Sequence, residues 1–263
     1  MSNEVKKMLV PLANGFEEIE FVSIVDTLRR AGVEVVIAGV GKPHSISGAG
    51  KSSTDFGTNA ESSTGAKNAS AGTNLTNQNL SGAKIGGAKS VGIYTGSHGI
   101  EIRAEVCLEA LDSGILAGFD GVALAGGWQG MLNLKASEKL REILRDFKAQ
   151  NKLVSAICAS PIVLDSAGVL EGKFACYPSC EKFAESDSRA DSNEAGEKPL
   201  NGEYQPNASV VRAGNLITAA GPATGILLAL EIISYLVGQA KSNEIAEQML
   251  VPYLKSNAKI VRE

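Results

Sequence analysis

Lys152-Leu-Val-Ser-Ala-Ile-Cys-Ala-Ser-Pro161 runs from an apolar strand-like segment, through a cysteine, into the start of a helix. Proline is favoured in the first turn of a helix, where its missing N–H removes no hydrogen bond. Cys158 is therefore expected at a strand-to-helix turn, beside free backbone N–H groups and the positive end of a helix dipole. Such surroundings favour thiolate over thiol. The arrangement is the cysteine counterpart of a nucleophile elbow, where a sharp turn exposes a nucleophile above a parallel sheet. The plainer reading of the same residues is a buried cysteine closing a core strand, since free cysteine is among the most buried residue types.

A second segment bears on that choice. Met8-Leu-Val-Pro-Leu-Ala13 has the character of a short buried strand, and Asn14-Gly-Phe-Glu-Glu-Ile-Glu20 follows it. An amphipathic helix then runs through Arg30 to a turn at Ala31-Gly32, and Val33 to Ala38 forms a second strand. Continuous apolar runs around a helix of period 3.6 make a βαβ opening. Three acids in the first helical turn suit the helix dipole. Glu20 differs from the other two, because it shares a helical face with Phe16, Ser23 and Ile24 and so turns toward the sheet edge. A carboxylate there is costly unless it finds a partner. Cys158 is such a partner if both strands end on one rim.

The remaining segments extend the pattern. Gly121 to Ala125 is a buried strand ending at Gly126-Gly127, and Leu153 to Ile157 is the strand that carries the cysteine. Ser137 to Gln150 is an amphipathic helix with Leu140, Ile143, Leu144 and Phe147 inward. Leu216 to Ala220 is a strand before Gly221-Pro-Ala-Thr, and Thr224 to Leu236 is an apolar helix. This alternation predicts an α/β fold: a doubly wound, flavodoxin-like parallel sheet with helices on both faces and sites at the carboxyl ends of strands. The Glu20 turn, Gly127 and Cys158 all fall at such ends.

The segments Asn14–Glu20, Leu28-Arg-Arg-Ala-Gly32, Ala125-Gly-Gly-Trp128, Ala156-Ile-Cys-Ala-Ser-Pro161 and Ala220-Gly-Pro-Ala-Thr224 occur in the order seen in the ThiJ/PfpI superfamily. The chain most resembles the branch that contains Parkinson disease protein 7 and the bacterial YajL-type proteins. The likeness covers about residues 5–43, 92–185 and 199–254. It implies that Cys158 is the nucleophile, that Glu20 is a protonated partner hydrogen-bonding its sulfur, and that the N–H groups of Gly127 and Ala159 form an oxyanion site. It also implies a homodimer. Many relatives carry histidine where this chain has Tyr177, and the protease-like branch carries histidine where it has Ala159. The only histidines are His44 and His98, so a protease-type Cys–His pair is not expected. His98 stands where relatives often have an arginine that reaches a neighbouring subunit, and its plainer reading is a solvated loop histidine.

The resemblance, together with these residues, implies a cysteine-dependent enzyme of glyoxalase or deglycase type, acting without metal or organic cofactor on 2-oxoaldehydes or their adducts on proteins and amines. A redox sensor or chaperone-type stress protein using Cys158 oxidation is the alternative, and a cysteine peptidase a weaker one. Composition agrees without naming the activity. The 263 residues suit one domain, with 44% hydrophobic residues for its core. A net charge of −4 without a basic stripe gives no nucleic-acid surface. No apolar run approaches the roughly 18 residues of a membrane span, and the polar start lacks a signal-peptide core. Cys107, Cys158, Cys176 and Cys180 do not form a disulfide framework or a zinc pattern, so a reducing cytoplasm is the expected compartment. Two polar tracts, about residues 45–91 and 185–199, read as loosely ordered insertions into a single domain spanning residues 1–263.

Overall fold

Strands that are apolar on both faces belong inside a helix-covered parallel sheet, and the first of them here is β1 (Lys7–Leu12). The computed structural model describes residues 4–46, 92–183, 199–253 and 260–262. After β1 come α1 (Glu18–Arg30) and β2 (Glu34–Gly39), the expected βαβ opening. β3 (Ser45–Ile46), β4 (Gly92–Thr95) and β5 (Glu101–Arg103) make a small antiparallel sheet. β6 (Val106–Cys107), α2 (Ser113–Ala117), β7 (Gly121–Leu124), α3 (Trp128–Ala136) and α4 (Glu138–Ala149) lead to β8 (Leu153–Ile157) and α5 (Pro161–Ser166). β9 (Lys173–Phe174) and β10 (Glu203–Tyr204) pair with each other. β11 (Val210–Ala213), β12 (Leu216–Ala219), α6 (Gly225–Leu236), α7 (Gln239–Gln248) and β13 (Ile260–Arg262) complete the chain.

The main sheet has eight strands in the order β13-β11-β12-β8-β7-β1-β2-β6. From β12 to β6 every neighbouring pair is parallel. β11 departs from the expected parallel sheet and runs antiparallel to β12. The physical reason is the connection: Gly214 and Asn215 alone join the two strands, and so short a link makes a hairpin, never a crossover. Gly214 sits at φ 60° in that turn.

Alternation along the strands sorts the core onto two faces. Leu9, Val36, Leu124 and Val154 meet one layer of helices, which includes Leu140, Ile143, Leu144 and Phe147 of α4, all buried as expected. Met8, Val10, Ile37 and Leu153 meet the other, where Phe21, Ile24 and Leu28 of α1 pack with Leu228, Ile232 and Ile233 of α6. The expected insertions fall almost wholly outside the described residues. The exceptions are Ser45 and Ile46, which pair with Ile93 and Gly92, and Pro199, which is exposed.

Candidate active site

Because β1, β7, β8 and β12 are parallel, the chain leaving each of them emerges on one rim. Cys158 follows β8 there with φ 62°. The left-handed region is strained for a residue with a side chain, and such residues concentrate at functional sites. Hydrogen bonds from flanking segments hold the turn. The Cys158 N–H donates to the Ala219 carbonyl (3.0 Å), and the Cys158 carbonyl accepts from the Tyr177 N–H (2.9 Å). Ser160 Oγ, fully buried, donates to the Ala125 carbonyl (2.6 Å). Pro161 then opens α5 at its first position. The thiol is left half-buried at the rim.

Glu20 reaches this thiol from the first turn of α1 and is 0% exposed. The Gly126 N–H donates to its Oε2 at 2.7 Å. Its Oε1 has no hydrogen-bond partner among the described residues, and the Cys158 thiol beside it draws the carboxyl pKa down while the carboxylate drives the thiol pKa up. Gly126 is what lets the two meet. A Cβ on it would lie 2.7 Å from both Cys158 Cβ and Glu20 Oε2, so a side chain there would drive them apart. Gly127, at φ 89°, turns the chain into α3. The N–H groups of Gly127 and Ala159 lie on the sulfur's side of the turn and act to lower the thiol pKa.

Burial pushes the Glu20 carboxyl up to about 7, against the opposing pull of the Gly126 N–H and the Cys158 thiol. The thiol is pushed up as well, first by burial and then by the Glu20 carboxylate, with the Gly127 and Ala159 N–H groups opposing. The turn alone therefore does not give the low thiol pKa expected from the sequence; α5 is six residues long and contributes a weak dipole. The two groups titrate as a pair. A proton on Glu20 removes its repulsion of the thiolate, and the two N–H groups then favour charge on sulfur. Thiolate on Cys158 is thus favoured when the shared proton sits on Glu20.

The other expected residues sit apart from the sulfur. Tyr177 offers its backbone to Cys158, while its ring is exposed and lies beside Gly221. The His98 ring is 73% exposed and bonds Glu18 through Nδ1 at 2.8 Å. Glu18 also accepts from the His98 N–H and from Ser97 Oγ, which fastens the 97–100 loop to α1. The Glu18 carboxyl is held below its ordinary range by these bonds to His98 in spite of its burial. No local pattern marks this clamp, since its halves lie 80 residues apart. Glu17, Glu18 and His98 are the one group among the described residues whose ligand atoms converge within 4.8 Å. Both acids already accept backbone N–H groups, Glu17 from Glu20 and Glu18 from His98, which accounts for their positions without an ion. Trp128, next to Gly127 and half-exposed, meets Phe183 edge-on.

Comparison with known proteins reaches the same elements. The dj-1beta protein of Drosophila melanogaster is 29% identical over 249 residues, spanning 94% of this chain and 98% of the relative. The Parkinson disease protein 7 homolog of Danio rerio is 28% identical, spanning 95% and 97%. The crystal structure of Drosophila melanogaster DJ-1beta superposes with a TM-score of 0.66 over 94% of this chain and 98% of that one, at 26% identity. Oxidized Toxoplasma gondii DJ-1 superposes with 0.62 at 28% identity over the same shares. No helix among the described residues is long and apolar enough to cross a membrane. The DJ-1/PfpI family pattern matches residues 6–235, from β1 into α6 and so across the whole rim that carries Glu20, Gly127 and Cys158, and the chain belongs to that family.

Proposed function

We propose that the protein is a cysteine-dependent enzyme of glyoxalase or deglycase type, acting on 2-oxoaldehydes or on their adducts with proteins and amines. The observation that carries this reading is the buried Glu20 carboxyl meeting Cys158 at the bare Gly126, on a strained turn. In the proposed reaction the Cys158 thiolate attacks the aldehyde carbon. The oxyanion of the resulting hemithioacetal is held by the N–H groups of Gly127 and Ala159. Glu20 gives its proton to that oxygen, takes the proton from the same carbon to form an enediolate, and returns it to the neighbouring carbon as the hydroxyl proton passes to the neighbouring oxygen, so that a 2-hydroxyacyl thioester forms. Water cleaves the thioester to a 2-hydroxy acid and restores the pair. Net, one 2-oxoaldehyde and one water give one 2-hydroxy acid. No other group is needed to balance it.

The test is lactate formation from methylglyoxal by wild type and by Cys158→Ser. Turnover in wild type that is abolished in the variant is expected. Equal, negligible rates would favour the second reading, a redox-responsive stress protein in which Cys158 is oxidised; the oxidized form of the similar Toxoplasma gondii protein supports that alternative. A homodimer belongs to the proposal in either case. Ile19 and Val22, about one helical turn apart on α1, are exposed by 60 and 49%, and Ile100 of the loop fastened to Glu18 is exposed by 57%. The compartment proposed is the cytoplasm.

A further inference from the structure

Two thiols take no part in the reaction above. Cys176 and Cys180 are free and buried, and both lie in the apolar cluster against which Cys158 packs. A chain of backbone hydrogen bonds ties them to the nucleophile. The Tyr177 N–H donates to the Cys158 carbonyl, and the Tyr177 carbonyl accepts from the Cys180 N–H, each at 2.9 Å. Tyr177–Cys180 is thereby a turn whose ends lie under about 7 Å apart, anchored at its first residue on the carbonyl of Cys158. Ser179 holds φ 77° within that turn, the left-handed region again for a residue with a side chain. Cys180 feels the charge of Glu20, the partner of Cys158. Cys176 has its sulfur 4.0 Å from Glu181 Oε2.

We infer that Cys180 is a resolving thiol for Cys158, closing a disulfide with it when a hydroperoxide oxidises the nucleophile. The inference rests on the reading of Cys158 as a reactive thiol. In the first step the Cys158 thiolate attacks the outer oxygen of the hydroperoxide. An S–O bond forms as the O–O bond breaks, and the departing alkoxide leaves as an alcohol with the proton of Glu20. Sulfur is oxidised to the sulfenic acid and the hydroperoxide is reduced. In the second step the Cys180 thiol passes its proton to the Glu20 carboxylate and its sulfur attacks that of Cys158. The S–S bond forms as the S–O bond breaks, and hydroxide leaves as water with the proton from Glu20. A dithiol reductant reverses the disulfide. Without a resolving thiol, further peroxide carries sulfenic acid to the sulfinic acid, which ordinary thiols do not reduce.

The test treats the reduced full chain with hydrogen peroxide, blocks remaining thiols with iodoacetamide, and maps peptides by mass spectrometry without reductant; dimedone, which traps sulfenic acid, is added in a parallel arm. Wild type is expected to yield a Cys158–Cys180 cross-linked peptide and little dimedone adduct. Cys180→Ser and Cys180→Ala are expected to lose the cross-link and to accumulate the adduct at Cys158, whereas Cys176→Ser keeps the cross-link. Oxidation of Cys158 in wild type without a bond to Cys180, or with a bond to Cys176, would overturn the relay and leave the reactive thiol standing. A Cys158 untouched by both peroxide and iodoacetamide would overturn the reactive-thiol reading, and the relay with it. The wild-type map needs no variant to fold.

Discussion

Burial raises the pKa of both Glu20 and Cys158, so the two groups titrate together. Each is legible in the sequence for its own reason. Cysteine before Ala-Ser-Pro marks a turn, and an acid on the apolar face of α1 demands a partner. Which way the pair titrates depends on how deeply both are buried, and burial is not written in local sequence. Glu18 was missed because its partner His98 is local only in the fold. Two outcomes follow for Glu20. Glu20→Gln keeps a hydrogen bond to sulfur but loses proton transfer, and Glu20→Leu loses both; each is expected to lower methylglyoxal turnover by roughly 10²–10⁴-fold. The second outcome concerns stability. The folded protein holds the Glu20 proton up to about pH 7, while the ordinary carboxyl value is 4.5. Between those values the native state binds more protons than the unfolded state, so stability falls as pH rises through this window and levels off above it. Glu20→Gln is expected to flatten that fall, by about 3 kcal/mol at most. Urea unfolding midpoints at pH 4.5 and 7.5 measure it; parallel slopes in wild type and variant would remove Glu20 as the cause.

Elements with long, clean periodicity were read within a residue or two of their ends, as with β8 and α4. α3 was not foreseen, because Gly130 and Asn133 interrupt its apolar residues and it relies on packing against α5 and α4. β13 could not be foreseen from three residues; its pairing with β11 and an ionic contact fix it. That contact joins Arg262 to Glu231 of α6, whose side chain is 1% exposed, and Arg212 of β11 reaches the same carboxylate at 3.3 Å. Removing both cations leaves a buried charge without compensation. Arg212→Ala combined with Arg262→Ala is therefore expected to cost about 3–5 kcal/mol, with Glu231→Gln in the same background recovering part of the loss. Denaturant titration reads both, and a double variant as stable as wild type would show the carboxylate to be hydrated instead.

At the scale of the whole molecule, the doubly wound sheet was legible because alternating strand and helix patterns allow few arrangements. The antiparallel β11 and the small outer sheets were not, since short edge pairings depend on neighbours distant in the chain. The proposed homodimer is also a property of this scale. Ile19→Lys with Val22→Lys places two charges on its apolar face and is expected to shift the protein from dimer to monomer in light scattering; an unchanged mass would move the interface elsewhere or dismiss it. Everything proposed for catalysis depends on one sulfur being the reactive one of four. The most direct measurement is the initial rate of iodoacetamide alkylation at each cysteine of the native protein near neutral pH, read peptide by peptide, with and without methylglyoxal. Cys158 is expected to react first, ahead of the more exposed Cys107, and to be slowed by methylglyoxal. Alkylation of Cys107 first, with Cys158 as inert as a core thiol and indifferent to methylglyoxal, would contradict the account.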